Sequence, residues 1–253
     1  MTSSFEFLYQ VLSILGSSKL RNSIVLKGAA SLTLSVLASN STLLPRSTRD
    51  LDFHIATPQD LKTFVALVEP VLNNNILGWR FKLEKSDLRS STSWSGLFRC
   101  STGDTLKMDV NVSSMGSFAI ILDANIGLNR YSNLTMLSDK IFAISSKNIF
   151  RRVKDVYDIA ILAQLESYRS GDILDALRNK RPEFFETGKY MFTPENMEAI
   201  KHAYDKLDIA RGANNVIIKP PFETLVTLIT TFLSPIYGKI YDLKWGIGGW
   251  EHE

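Results

Sequence analysis

The stretch "STRDLDFHI", Ser47–Ile55, places two aspartates on one face of a short segment. Asp50 and Asp52 alternate with Leu51 and Phe53, which is the pattern of a half-buried β-strand. Two like charges on one face of a strand repel each other and lower stability unless something compensates them. A bound cation would provide that compensation.

The plain alternative is a solvent-facing strand edge, with Arg46 and Arg49 as ion-pair partners of the two aspartates. The preceding segment favours the cation. "NSIVLKG", residues 22–28, predicts a short strand that stops at Gly28, and "AASLTLSVLAS" predicts a helix directly after it. A strand–glycine–helix turn leaves backbone N–H groups free at the start of the helix, where triphosphate oxygens bind.

A third carboxylate comes from "TLKMDVNV", residues 105–112, which alternates strictly and places Asp109 on the polar face of a strand. Three carboxylates on neighbouring strands of one sheet can hold two Mg²⁺ ions, which prefer oxygen ligands and share them with substrate phosphates. Two such ions activate an attacking hydroxyl and stabilise a leaving pyrophosphate. The alternative is that Asp109 is a solvated residue between Lys107 and Asn111.

The remaining segments predict an α/β (α+β) protein in which a mixed sheet with flanking helices is followed by a helical bundle. Helices are expected at residues 4–16 and 58–74, and an antiparallel meander at "WRFKLEKSD", "WSGLFRCST" and "TLKMDVNV". The segments from residue 137 onward have helical spacing, and "GIGGW" reads as a flexible or docking tail. We therefore expect a core domain at 1–135 and a helical domain at 136–253, which forms the other wall of a cleft.

The composition is that of a folded protein, because 45% of the 253 residues are hydrophobic and 22% are charged. The net charge of +3 suits nucleotide or RNA binding, and it equally suits an ordinary soluble protein. One cysteine excludes an intrachain disulfide, and the three histidines lack the spacing of metal ligands. The N-terminus has no basic leader and the longest apolar run is too short to cross a bilayer, so we expect a cytoplasmic protein with no membrane contact.

Four motifs in order resemble those of the AbiEii-type nucleotidyltransferase toxins, which belong to the DNA polymerase β-like nucleotidyltransferase superfamily. They are "LKGAASL", "RSTRDLDF", "LKMDVNV" and "DKIFAISSKNIFRRVKDVYDI", and the resemblance covers residues 20–165, more weakly beyond. Two departures are visible. Gly28-Ala29 stands where such folds usually have Gly-Gly or Gly-Ser, and the gap to Asp50 is longer than usual, which we assign to the loop "SNSTLLP".

The resemblance implies roles for the matching residues of the first half. Asp50, Asp52 and Asp109 would be catalytic metal ligands of a polymerase β-like nucleotidyltransferase core, and Asp109 would be either a ligand or the base for the acceptor hydroxyl. A plain turn residue is the alternative for Thr48. The residues expected at the nucleotide phosphates are Lys27, Gly28, Ala29, Ser31 and Thr48.

The resemblance also implies roles for three residues of the helical half. Lys140 would reach a phosphate of the nucleotide and counter the charge of the leaving pyrophosphate. Asp155 and Asp158 share a helical face and would close the site, with Asp158 counted among the catalytic residues. The alternatives are a surface lysine at 140, and for Asp158 an ordinary ion pair with Lys154, Arg151 or Arg152.

The function implied by the resemblance is Mg²⁺-dependent transfer of a nucleoside monophosphate from an NTP to a hydroxyl, with the tRNA 3′ end as acceptor. The protein would be the toxin of a toxin–antitoxin or phage-defence pair, with an antitoxin as its partner. Two basic segments, "KNIFRRVK" from Lys147 and "RNKRPEFF" from Arg178, suit either an RNA backbone or charged helix ends. The alternatives are a protein acceptor, a small-molecule acceptor such as an antibiotic, and a nucleotide-binding regulator without catalysis.

Overall fold

The computed structural model describes residues 4–39, 44–48, 50–113, 119–145, 152–209, 219–246 and 248–252. The chain forms two compact units: unit 1 is Met1–Ser31 with Ser47–Ser132, and unit 2 is Leu32–Arg46 with Asn133–Glu253. The expected domains at 1–135 and 136–253, with a cleft between them, stay a prediction. Arg49, most of "KNIFRRVK" and the tip of the loop "SNSTLLP" lie outside the described residues.

Unit 1 contains a seven-stranded mixed sheet in the order β3-β4-β5-β2-β1-β7-β6. Strands β2 and β5 are parallel, as are β1 and β7, and the other neighbours are antiparallel. The predicted mixed sheet and the predicted meander β3–β4–β5 are confirmed. The strands are β1 Ile24–Lys27, β2 Asp50–Ile55, β3 Phe81–Ser90, β4 Ser93–Cys100, β5 Thr105–Val112, β6 Ile120–Asp123 and β7 Leu128–Tyr131.

Helix α3 (Pro58–Asn73) covers the apolar face of this sheet. It begins at the N-cap Thr57, whose hydroxyl accepts a hydrogen bond from the backbone N–H of Asp60 at 3.1 Å. The Phe64 ring packs against Phe53 of β2 at 6.2 Å between centroids and against Trp94 of β4 at 5.8 Å. Because successive side chains of a strand point to opposite faces, burial of Phe53 places the aspartates of β2 on the other face.

Two further helices begin in unit 1. Helix α1 (Ser4–Gly16) matches the predicted N-terminal helix, and α2 (Gly28–Leu37) begins directly after β1, as the strand–glycine–helix pattern predicts. The hairpin β6–β7 was not predicted, because each of its strands is only four residues long; its turn ends at Gly127, which has a φ of 70°.

Unit 2 is mainly helical, and among the described residues no helix is both long and apolar enough to cross a membrane. The expectation that everything after residue 137 is helical is wrong, because β8, β9 and β10 form an antiparallel sheet in the order β10-β9-β8. The elements are α4 Asn133–Ile144, α5 Val153–Leu165, β8 Tyr168–Arg169, α6 Ser170–Lys180, α7 Phe184–Thr187, α8 Pro194–Asp205, α9 Phe222–Tyr237, β9 Leu243–Gly246 and β10 Gly249–His252.

The segment "GIGGW" was expected to be a tail, but its two ends lie in β9 and β10. Trp245 of β9 and Trp250 of β10 attach this hairpin to the helices. The Trp245 indole N–H donates to the carbonyl of Ala163 in α5 at 2.7 Å, and the Trp250 N–H donates to that of Phe232 in α9 at 2.9 Å. The Phe232 ring meets Trp245 edge-on at 4.9 Å and stacks on Trp250 at 5.5 Å. Aromatic burial with both indole donors satisfied fixes the hairpin β9–β10 to the helices.

Candidate active site

The candidate site of unit 1 lies on the polar face of β2 and β5. The parallel register places Asp52 opposite Asp109 and Asp50 opposite Lys107. Partners on adjacent strands point to the same face, so the carboxylates of Asp52 and Asp109 are neighbours. Asp52 is half-buried, whereas Asp50 is exposed at the first position of β2.

The turn between β1 and α2 approaches Asp52 closely. Gly28, the first residue of α2, has a φ of 70°, which is the left-handed region that favours glycine. A Cβ atom at this position would lie 2.5 Å from Oδ2 of Asp52. The backbone conformation therefore favours glycine, and a side chain at this position would displace the Asp52 carboxylate.

Electrostatic compensation of the carboxylates comes from Lys107. Its ammonium contacts Oδ2 of Asp109, two residues further along the same strand face. Burial raises the pKa of Asp109, but the hydrogen bonds from Lys107 and Ser95, together with the charges of Lys107 and Arg89, outweigh it and the pKa is lowered overall. The hydrogen bond to Asp109 likewise raises the pKa of Lys107. Asp109 is therefore an ionised carboxylate at neutral pH, and it is half-buried and ion-paired rather than freely solvated.

The other oxygen of Asp109, Oδ1, is buried and has no hydrogen-bond partner among the described residues. The nearest nitrogen of Arg89 is 4.0 Å away, beyond hydrogen-bonding distance. A buried carboxylate oxygen without a partner costs on the order of 1–3 kcal/mol or more. This oxygen is therefore the acceptor of Asp109 that no described hydrogen bond occupies.

Three predicted phosphate contacts have different surroundings. Ala29 is buried, and Ser31 is fully buried with a hydroxyl that has no hydrogen-bond partner within the described parts of the chain. The Thr48 hydroxyl accepts a hydrogen bond from the backbone N–H of Asp50 at 3.3 Å, which is the expected turn contact. Thr48 therefore helps to position the start of the aspartate strand.

Unit 2 contains a buried row of alternating charges. The Lys140 ammonium lies 2.6 Å from Oδ1 of Asp155 and 2.8 Å from Oδ2 of Asp158. Arg46 Nε lies 3.1 Å from Oδ1 of Asp158, and Arg152 Nη1 lies 3.4 Å from Oδ2 of Asp155. The side chains of both aspartates are almost completely buried, at 4% and 0% exposure.

The row fixes the ionisation of its members. Burial lowers the pKa of Lys140, but the charges of Asp158 and Asp155 outweigh it and raise the pKa to about 12. Burial raises the pKa of Asp155, and the charge and hydrogen bond of Lys140 reverse this, so that the pKa falls below its usual value. Lys140 is thus a permanent ammonium, and the alternative of an ordinary surface lysine is wrong.

The contacts in this row also show that two of the predicted ion-pair alternatives are wrong. Arg46, considered as a partner of Asp50 and Asp52, donates to Asp158 instead, because the segment 44–46 belongs to unit 2. A hydrogen bond of 2.8 Å from the Tyr157 hydroxyl to the carbonyl of Leu44 anchors the same segment. The described ion pairs of Asp158 are with Arg46 and Lys140, not with the i−4 neighbour Lys154 or with Arg152.

Comparison with models of known protein families shows which family the chain belongs to. A model of the family described as "Nucleotidyl transferase AbiEii toxin, Type IV TA system" matches residues 10–226. The chain belongs to this family. It is therefore an AbiEii nucleotidyltransferase, and membership implies an NTP substrate and an antitoxin partner.

Two solved structures are similar to this AbiEii chain. An antigenic nucleotidyltransferase-like protein from Paracoccidioides brasiliensis is 18% identical with a TM-score of 0.41, covering 71% of this chain and 91% of the other. The Megavirus polyadenylate synthase is 15% identical with a TM-score of 0.43, covering 66% of this chain and 33% of the synthase. No curated protein sequence matches the chain. With likenesses this low, the assignment depends on the family model.

The donor set of unit 1 fits a Mg²⁺ ion of the kind that AbiEii nucleotidyltransferases would use. The described residues contain no group of three or more histidine, cysteine, aspartate or glutamate side chains placed to hold a metal. Mg²⁺ commonly takes one or two carboxylates and completes its coordination with water and substrate phosphates. Asp52 and Asp109, with the unpartnered Oδ1 of Asp109, satisfy that requirement.

Two residues of this site carry no signal in the sequence. His54 and Tyr131 lie on the same face of the sheet as Asp52, and His54 contacts both Lys27 and Tyr131. Lone histidines and tyrosines give no spacing pattern. Lys107, by contrast, was predictable as a neighbour of Asp109, because strict alternation places residues 107 and 109 on one face.

We expect Gly28→Ala to reduce nucleotidyl transfer strongly in this AbiEii enzyme, because its methyl group displaces the Asp52 carboxylate. Gly78→Ala is the matched control, since Gly78 has a φ of 69° and open space where its Cβ would lie. Both variants lose about 1 kcal/mol through backbone strain, but only the first disturbs the site. Equal transfer rates in the two variants, measured at matched folded fractions, would contradict this geometry.

We expect Lys140→Met to lower the free energy of unfolding by about 3–5 kcal/mol, because it leaves two buried carboxylates without their ammonium. The control Lys201→Met breaks the exposed pair with Asp205, which costs at most about 1 kcal/mol. Urea denaturation measures both.

The pH dependence of the Lys140 effect follows from the two shifts. The raised pKa of Lys140 gives stability that is complete below its usual 10.5 and is lost near 12. The lowered pKa of Asp155 gives stability that is complete above its usual 3.8 and is lost in acid. The loss caused by Lys140→Met should thus be constant from about pH 5 to pH 10 and shrink below about pH 4. A loss that peaks in acid would contradict the pairing.

Proposed function

We propose that this AbiEii nucleotidyltransferase transfers a nucleoside monophosphate from an NTP to a hydroxyl in a Mg²⁺-dependent reaction, with the 3′ end of tRNA as acceptor. The observation that supports it most is the register of Asp52 with Asp109 beside the turn at Gly28, where any side chain would meet the Asp52 carboxylate. In this proposal the protein acts in the cytoplasm as a toxin, and its antitoxin controls the transfer.

Nucleotide binding begins at the start of α2. The first N–H groups of a helix have no partner within the helix and attract anions, so the turn at Gly28 suits the triphosphate. Lys27, directly before this turn, adds a positive charge from β1. In the proposal, backbone groups at Ala29 complete the phosphate contacts, the buried Ser31 supports the first turn of α2, and Thr48 positions the start of β2.

Asp50, Asp52 and Asp109 are the proposed metal ligands. When bound, one or two Mg²⁺ ions would stabilise the charge that develops on the attacking and leaving oxygens. The carboxylates of β2 and β5 would hold the cation next to the phosphates. Asp109 acts either as a ligand or as the base that takes the proton of the acceptor hydroxyl. Its Oδ2 contacts Lys107, so its unpartnered Oδ1 is the oxygen that is available for either role.

Lys140, Asp155 and Asp158 have a supporting role in the proposal. The Lys140 ammonium would contact a phosphate and counter the charge of the leaving pyrophosphate. The two aspartates orient that ammonium and keep it protonated, and this agrees with the raised pKa of Lys140.

The acceptor is the part of the proposal that depends most on the family resemblance. The C-terminal end of α6 adds exposed cations of the kind that contact phosphodiester backbones, since Arg178 and Arg181 have side chains 56% and 41% exposed. Labelled product on protein would favour nucleotidylation of a protein, and labelled small molecules would favour an antibiotic-type enzyme. Nucleotide binding without any transfer would identify a regulator.

The test is incubation of the purified protein and Mg²⁺ with total RNA and each α-labelled NTP in turn. We expect label in RNA from one or more α-labelled NTPs and none from γ-labelled NTP, because pyrophosphate leaves. Asp52→Asn should lower transfer by about 100-fold or more. Its stability should stay within about 1 kcal/mol of the wild type, because removal of one of two neighbouring carboxylates relieves repulsion.

The matched control is Asp87→Asn, which changes an exposed aspartate of β3 whose side chain is 67% exposed. It should transfer label at the wild-type rate. Equal transfer by the wild type and Asp52→Asn would overturn the metal assignment, and a wild type that labels nothing would overturn the proposed reaction.

A further inference from the structure

A row of three polar side chains lies beside the candidate site on the same face of the sheet. The Lys27 Nζ is 3.0 Å from Nε2 of His54, and Nδ1 of His54 contacts the hydroxyl of Tyr131. The rings of His54 and Tyr131 meet edge-on, with centroids 5.4 Å apart and an angle of 73°. The three residues come from the adjacent strands β1, β2 and β7.

The contacts of His54 define its place in this row. An ammonium group only donates hydrogen bonds, so Nε2 of His54 is the acceptor in the contact with Lys27. The other ring nitrogen, Nδ1, faces the hydroxyl of Tyr131, which holds the imidazole ring in place.

The contact with Nε2 of His54 fixes the direction of the Lys27 ammonium. The orienting groups are rigid, because His54 is 7% exposed and Tyr131 is 1% exposed. Two buried rings packed edge-on leave the acceptor nitrogen little freedom to move.

Lys27 lies between the candidate metal ligand Asp52 and the turn at Gly28. Lys27 is the register partner of Asp52 in the antiparallel pair β1–β2, so both side chains point to the polar face of the sheet. It also directly precedes Gly28, where the proposed phosphate-binding turn begins. A site that brings a triphosphate next to two carboxylates needs a directed positive charge at this point.

We propose that His54 and Tyr131 are positioning residues that direct the Lys27 ammonium to the phosphates of the bound nucleotide. This inference depends on the proposed function, because it assumes that the turn at Gly28 receives a triphosphate. It adds two residues to the site that touch neither nucleotide nor metal and that act through Lys27.

The first test is steady-state kinetics with the NTP that the enzyme uses. His54→Leu and Tyr131→Phe should raise the KM for NTP by about tenfold with a much smaller change in kcat, since they loosen a binding group. His54→Gln should restore a KM near that of the wild type, because its amide oxygen can accept from Lys27. His202→Leu and His202→Gln, made on helix α8, are the matched controls and should leave KM unchanged.

The second test is a double-mutant cycle. Lys27→Met should raise KM at least as much as His54→Leu, and the double variant should be no worse than Lys27→Met alone, because His54 acts only through Lys27. A purely structural His54 would instead add its loss to that of Lys27→Met. Additive effects, or a wild-type KM in His54→Leu, would overturn the inference.

The readouts separate this inference from the proposed function. If the wild type transfers no label, equilibrium dialysis with NTP and Mg²⁺ still compares binding, and His54→Leu must bind more weakly than the wild type. Equal binding would overturn the positioning role even where transfer is intact, and a wild type that binds no NTP would overturn both. If His54→Leu does not fold, Tyr131→Phe retains the ring and removes only the hydroxyl.

Discussion

The parallel pairing of β2 with β5 is the interaction on which the candidate site depends. These strands are separated in the chain by α3, β3 and β4, yet their register places Asp52 beside Asp109. A slip of one residue would turn Asp109 to the opposite face. The register is fixed by burial on the apolar side, where Leu51, Phe53 and Met108 are completely inaccessible to solvent. The hydrophobic core therefore sets the geometry of the carboxylates.

Part of the repulsion between those carboxylates is compensated by a positively charged side chain of the protein itself. Lys107 forms an ion pair with one oxygen of Asp109, and that contact raises the pKa of Lys107. The compensation is incomplete, because the second oxygen of Asp109 is buried without a hydrogen-bond partner in the part of the chain that the structure describes. A carboxylate pair that folds with one oxygen outside any described hydrogen bond is suited to a divalent cation that binds together with its substrate.

The local part of the fold was predictable because it depends on short-range patterns. Alternation in "DLDFHI" and "TLKMDVNV" predicts both strands and the faces of their aspartates, and a strand that stops at glycine predicts the turn into α2. The parts that were missed depend on pairing between distant segments. The ion pair of Arg46 with Asp158 joins residues 112 positions apart, and β9 joins β8 across most of unit 2. No sequence period encodes such contacts.

The chain's membership of the AbiEii nucleotidyltransferases and its carboxylate geometry are independent lines of support for the proposed binding of a metal ion together with a nucleotide. Electron paramagnetic resonance of Mn²⁺, used as a probe for Mg²⁺, examines that point directly in the presence of an NTP analogue that cannot react. The account predicts a bound Mn²⁺ signal in the wild type that is lost in both Asp52→Asn and Asp109→Asn. Equal Mn²⁺ binding by all three proteins would contradict it.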